Sequence, residues 1–175
     1  MKKTLLTSRQ WMLLIFIVIA ILTRWLPHPP NFTAVTAIAL FGGVHFSSKK
    51  LAYIIPLAAM LLSDLVLGFS GITLFVYIAF GLVSFLGTYF KKMSVKTILL
   101  SSSVFFVITN FGVWLLYYPL NVSGLMECYT LAIPFFRNSV LGDLFFAGVL
   151  YYGFFWSEKK FLQTVVCVVF CPQQL

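Results

Sequence analysis

Acidic residues are almost absent from this chain. Its 175 residues include four Asp and Glu against twelve Lys and Arg, and only 9% of all residues are charged. A soluble globular domain carries about 25% charged residues. A chain that is 61% hydrophobic, with a mean hydropathy of +1.02, falls outside that class. Cysteine is scarce as well. Cys128, Cys167 and Cys171 make no disulfide framework. The last two have no His or carboxylate beside them to complete a metal site, and all three read as small apolar residues. Catalytic signatures are missing: there is no Gly-x-Ser-x-Gly elbow and no Gly-x-x-x-x-Gly-Lys loop. The only histidines, His28 and His45, fall at opposite ends of the expected bundle. An enzyme needs more convergent groups than these, so neither catalysis nor a cofactor is expected.

Long hydrophobic runs dominate. They cover 11–26, 32–47, 51–69, 72–90, 97–117 and 138–157. A bilayer core is about 30 Å thick and takes roughly 20 residues at 1.5 Å rise. The first two runs are short at sixteen residues each, so five spans is the alternative to six. Basic residues alternate with the runs: Lys2, Lys3 and Arg9, then Lys49 and Lys50, then Lys91, Lys92 and Lys96, then Lys159 and Lys160. Ten of the twelve cations thus fall on one side, leaving Arg24 and Arg137 for the other. Cytoplasmic loops collect Lys and Arg. The expectation is an all-α, polytopic membrane helix bundle of about six helices with both termini inside. The first run ends Thr23-Arg24-Trp25-Leu26, without a small-residue cleavage pattern, and is expected to remain as a spanning helix. In a soluble protein the net charge of +8 would suggest nucleic acid. Here it reads as the inside bias plus attraction to anionic lipid heads, and no nucleic-acid partner is expected.

Residues 1–160 read as one bundle domain and 161–175 as a short apolar, interfacial tail. Brief links at Ser70-Gly71, 48–50 and 91–96 make successive helices neighbours. The link Pro27-His28-Pro29-Pro30-Asn31 is stiff, because proline fixes φ. The segment 118–136, with Pro119, Glu127 and Pro134, reads as a long outer loop, usually a lid or binding loop.

Polar residues inside the runs are few. Asp64, Asn110 and Asp143 fall about 7.5, 10 and 9 Å below the outer surface on three different helices. Arg24, His28, Asn31, Arg137 and Asn138 sit at the mouth above, and Trp114 shares a helix face with Asn110. Intramembrane charge is expensive and faces the bundle or water. These nine residues are therefore the candidate solute-binding set. The alternative is structural: Asp64 and Asp143 pair with Arg24 and Arg137 as staples. Ala39-x-x-x-Gly43 is a small-xxx-small pair that permits close helix approach, within the bundle or against a partner protein.

Six helices in under 200 residues, with polar groups gathered beneath the outer loops, resemble the S component of energy-coupling-factor (ECF) transporters. The stretches Pro27 to Thr33, Ala37 to Gly43, Leu62-Ser63-Asp64, Thr109 to Gly112 and Pro134 to Asn138 resemble bacterial membrane proteins of that type over roughly residues 24–150. The resemblance implies high-affinity capture of a vitamin-like micronutrient at the outer face of the cytoplasmic (inner) membrane. It further implies a transmembrane T component and two cytoplasmic ATPases as partners, since the chain carries no ATPase segment of its own. S components commonly dock through small residues of the first helix. In this chain the nearest such pair is Ala39 and Gly43 in the second run, which makes these two the candidate docking residues. The rival readings are a structural or assembly membrane protein without a solute site, and a lipid-modifying enzyme.

The charge bias makes a direct prediction. In a background free of native cysteines, Ser70→Cys should react with an impermeant thiol reagent applied to intact cells. Ser94→Cys should react only after the membrane is opened. The reverse pattern would show the orientation to be inverted.

Overall fold

A computed structural model describes the backbone of residues 8–27, 29–46 and 49–170, and the side chains of 15–27, 29–46 and 49–156. The described residues form six helices and no strand: α1 Ser8–Trp25, α2 Val35–His45, α3 Lys49–Leu67, α4 Thr73–Phe90, α5 Val95–Tyr117 and α6 Val122–Phe170. The first five lie within three residues of the hydrophobic runs. Helices α3, α4 and α5 and the Val122–Trp156 portion of α6 are each long and apolar enough to cross a membrane. Their outward faces are apolar too: Leu61, Leu65, Ile78, Leu82, Leu99 and Val107 are all exposed, as suits contact with lipid.

Local chemistry sets the helix ends. Ser94 and Thr97 form a capping box at the start of α5, with the Thr97 N–H donating to Ser94 Oγ and the Ser94 N–H to Thr97 Oγ1. This satisfies donors that a helix start leaves orphaned. Lys91 ends α4 in the left-handed conformation, its N–H bonded to the Gly87 carbonyl. Gly68 (φ +91) ends α3, its N–H bonded to the Asp64 carbonyl.

Helix α2 is the axis of the bundle. Every residue from Val35 to Gly43 is buried, and each of the other five helices packs on it. A helix apolar on all sides belongs inside. Phe41 sits edge-on to Phe16 of α1 at 5.3 Å and to Phe154 of α6 at 5.5 Å. At eleven residues α2 is about 16 Å long, half the thickness of a bilayer core. Its backbone touches that of α4. A Cβ on Gly43 would lie 2.6 Å from the Ser84 carbonyl oxygen and 2.8 Å from Gly87 Cα. One on Gly87 would lie 2.6 Å from the Leu40 carbonyl oxygen. Ala39 is fully buried and Gly43 buried with it. Of these two residues, expected on a docking surface, Gly43 is spent on the α2–α4 crossing and Ala39 is enclosed in the bundle, so neither is exposed to another protein.

The sixth helix differs most from the sequence reading. The expected loop 118–136 is a turn of four residues followed by helix from Val122 onward. Asn121 starts it: its Oδ1 accepts from the Gly124 N–H at 2.7 Å and its carbonyl from the Leu125 N–H at 3.0 Å. Trp114 Nε1 closes the turn on the Pro119 carbonyl at 3.1 Å. Pro134 lies inside the helix and removes one ladder donor without ending it. Cys128 is buried, its Sγ on the Asn110 carbonyl at 3.6 Å, and Tyr129 donates to the Val107 carbonyl at 2.8 Å. The tail reading changes with it, because 161–170 continues α6. Residues 128 to 143 of α6 span about 22 Å while their partners 110 to 102 on α5 span about 12 Å, so α6 crosses α5 obliquely.

The glycine contact generates a prediction. Gly43→Ala and Gly87→Ala should each lower unfolding stability by about 1–3 kcal/mol, the range for overpacking. Gly81→Ala, with nothing within 4 Å of the new Cβ, should leave it unchanged or slightly raised. Unfolding in mixed micelles measures all three.

Candidate functional site

Arg24 sits in the last turn of α1, where a cation complements the helix dipole. Its Nη2 meets Asp64 Oδ1 of α3 at 2.6 Å, and its Nη1 points to Met60 Sδ. Tyr77 of α4 donates to Asp64 Oδ2 at 3.1 Å. Both carboxylate oxygens are thereby engaged, and the Asp64 side chain is 5% exposed against 19% for Arg24. Among the described residues this is the one ion pair. It ties together α1, α3 and α4, as the staple alternative expects for Asp64, whereas the Asp143–Arg137 pair expected with it is not formed. Asp64 does not border either cavity below.

Asp143 is 3% exposed. Ser102 of α5 donates to its Oδ2 at 2.6 Å, and the Thr36 side chain is hydrogen-bonded to the same carboxyl. Thr36 stands in the first turn of α2, so the carboxyl lies toward the positive end of the α2 dipole. The shared depth inferred from sequence does not hold. Ser102 lies fifteen residues before Tyr117, about 22 Å below that end of α5. The cause is the helical 122–136 segment, which places Asp143 deep along α6 and not near its start.

Two cavities open between these clusters. The first, about 280 Å³, is bordered by Arg24, Asn31, Thr33, the first turn of α2 and Ser139. The second, about 320 Å³, is bordered by Thr109, Asn110 and the apolar Ile72, Val113 and Phe135. Asn31, Val76 and Phe105 form a wall common to both. Asn31 is held with φ +65, after Pro30, in a turn closed by the Phe32 N–H on the Pro29 carbonyl at 3.0 Å. Proline then a positive φ is the type II pattern, which asparagine tolerates.

Of the nine residues singled out in the sequence, Arg24, Asn31 and Asn110 line a cavity. Asp64 and Asp143 stand behind the walls, each held by its own partners. Trp114 is used in the α5–α6 turn. Arg137 is exposed and Asn138 half-buried, and neither borders a cavity. His28 lies outside the described residues. Sequence reasoning missed Tyr77, Thr36 and Ser102. Ser139, one helical turn before Asp143, borders the first cavity as well.

The ion pair can be tested by removal of one partner. Asp64→Ala strands the guanidinium and should cost about 3 kcal/mol, the low end for a buried pair because Arg24 stays partly exposed. Arg24→Met combined with Asp64→Leu should recover most of that loss. Additive losses in a double-mutant cycle would show that the two do not act as a pair.

No curated protein and no solved structure matches the chain. A family model does, over residues 4–167, nearly the whole length. The chain belongs to that family, a family of unknown function, DUF6580.

Proposed function

We propose that the protein is a multi-pass protein of the bacterial inner membrane that captures a small solute for uptake, with both termini in the cytoplasm. The observation that carries this reading is the pair of cavities over the first turn of a central helix too short to span. Irregular backbone within a membrane is tolerated where it is buried in protein or lines a water-filled cavity. Asn31 to Ala34 fit that description, with Asn31 and Thr33 on the cavity wall, Phe32 half-buried and Ala34 buried. Pockets of a few hundred Å³ with a small number of placed polar groups suit small-molecule ligands. On the proposed orientation the cavities face outward. Uptake then draws its energy from a separate module, and the ECF resemblance makes a T component with cytoplasmic ATPases the candidate. Its contact lies elsewhere than Ala39 and Gly43.

The rival reading is a structural or assembly protein, favoured by the Arg24–Asp64–Tyr77 staple. Native mass spectrometry of the purified chain separates the two. Solute capture predicts a small-molecule adduct on the wild type that is absent from Val76→Trp, which fills the wall shared by both cavities. A wild type without any adduct, and without binding to cell-extract metabolites, favours the structural protein.

A further inference from the structure

The first cavity is lined by donors that have no acceptor. Ile38 is the first intrahelical donor of α2, bonded to the Ala34 carbonyl at 2.9 Å. The N–H groups of Val35, Thr36 and Ala37 precede it and meet no acceptor among the described residues. The N-cap residue, Ala34, supplies no side-chain cap, and its own N–H is taken by Thr23 Oγ1 at 3.2 Å. An uncapped helix start of this kind holds partial positive charge. A second observation points the same way from another helix. Ser139 of α6 is 95% buried, borders this cavity, and its hydroxyl has no hydrogen-bond partner among the described residues. A third group, the Arg24 guanidinium, carries five donors and meets only Asp64 and the weakly accepting Met60 thioether.

Acceptors are few by comparison. The two nearby carboxylates are already engaged, Asp64 by Arg24 and Tyr77 and Asp143 by Ser102 and Thr36, and neither borders the cavity. Uncommitted side-chain oxygens on the wall come only from Asn31, Thr33 and the Ser139 hydroxyl, which can donate as well as accept. A wall this rich in donors is completed by a group that only accepts. We infer that the first cavity takes an oxyanion, the carboxylate or phosphate of a small molecule, seated between the first turn of α2, Arg24 and Ser139. The volume of about 280 Å³ equals roughly nine waters at ~30 Å³ each, enough for a compact acid. The second cavity across Val76 and Phe105, with Ile72, Val113 and Phe135 as an apolar portion of its wall, suits the rest of such a molecule. This inference rests on the solute-capture reading and narrows it to acidic solutes.

Cysteine labelling tests it without knowledge of the ligand. Ser139→Cys is made with the three native cysteines replaced by alanine, and the chain is placed in phosphatidylcholine nanodiscs. Its reaction rates with an anionic sulfonate methanethiosulfonate and a cationic trimethylammonium analogue are each divided by the rates with free 2-mercaptoethanol. Thr33→Cys on the same wall, with native Cys128 retained, is the second reporter should the first variant not fold. The expected result is a preference for the anionic reagent of about tenfold, the scale of electrostatic focusing in a charged cleft. Sodium benzoate should slow the labelling if the oxyanion belongs to a water-soluble solute. Phosphatidylglycerol in the nanodisc should slow it if the oxyanion is a lipid headgroup. Equal rates, or faster reaction with the cation, would overturn the oxyanion assignment and leave the open cavity standing. No reaction with either reagent at either position would instead overturn the open cavity, and the solute-capture reading with it.

Discussion

The length and position of α2 constrain everything around it. Eleven residues, buried on every side and packed on by all five other helices, make a helix about 16 Å long at the centre of a bundle whose other members are longer. In a hydrocarbon core about 30 Å thick such a helix stops halfway. The chain that leads into it must then come down inside the bundle. Residues 32–34 do so: Phe32 packs on Gly142 and lies tilted against Phe146 of α6 at 5.6 Å, and the Ala34 N–H is held by Thr23 of α1. Non-helical backbone at that depth needs protein partners or water. The cavities are the counterpart of a short central helix.

Apolar burial cannot hold such a bundle together in lipid, because lipid tails are as apolar as leucine side chains. Close packing and satisfied polar groups take that role. The Gly43–Gly87 contact lets two backbones meet, and Ser84 donates to the Ala52 carbonyl at 3.0 Å, tying α4 to α3 at the same level. The two acidic residues of the bundle interior are stabilised differently. Asp64 has a guanidinium and a phenol, and joins α1, α3 and α4. Asp143 has two hydroxyls and the start of α2, and joins α2, α5 and α6. Between them these clusters connect all six helices around the cavity. No buried side-chain nitrogen or oxygen among the described residues lacks both a partner and an opening to solvent or cavity.

Much of this was legible from the sequence. Helices α1 to α5 followed the hydrophobic runs because a run bounded by Lys pairs, Gly or Pro admits few other readings. Arg24, Asn31 and Asn110 stood out as cavity residues because polar groups are rare in such runs. The failures have physical causes. Pro134 and Glu127 looked like loop punctuation, but a helix packed on a neighbour tolerates an internal proline, and the Asn121 cap signal was the better guide. That misreading moved Asp143 to the wrong depth. Ala39 and Gly43 show the other limit. A small-xxx-small pair announces close approach but not to what, and here Gly43 meets α4 of the same chain while Ala39 is enclosed in the bundle. Thr36, Ser102 and Tyr77 carried no signal at all, since a hydroxyl on an apolar helix is usually satisfied by its own backbone.

The central claim is that the first turn of α2 ends in a hydrated cavity inside the bundle. Amide hydrogen exchange of the full chain in nanodiscs tests it most directly. The account predicts fast exchange at Val35, Thr36 and Ala37, whose N–H groups precede the first intrahelical donor, and strong protection from Ile38 to Gly43 one turn further on. Exchange at the first three should slow when a solute occupies the cavity. Uniform protection from Val35 to Gly43, as in a helix sealed at both ends, would contradict it.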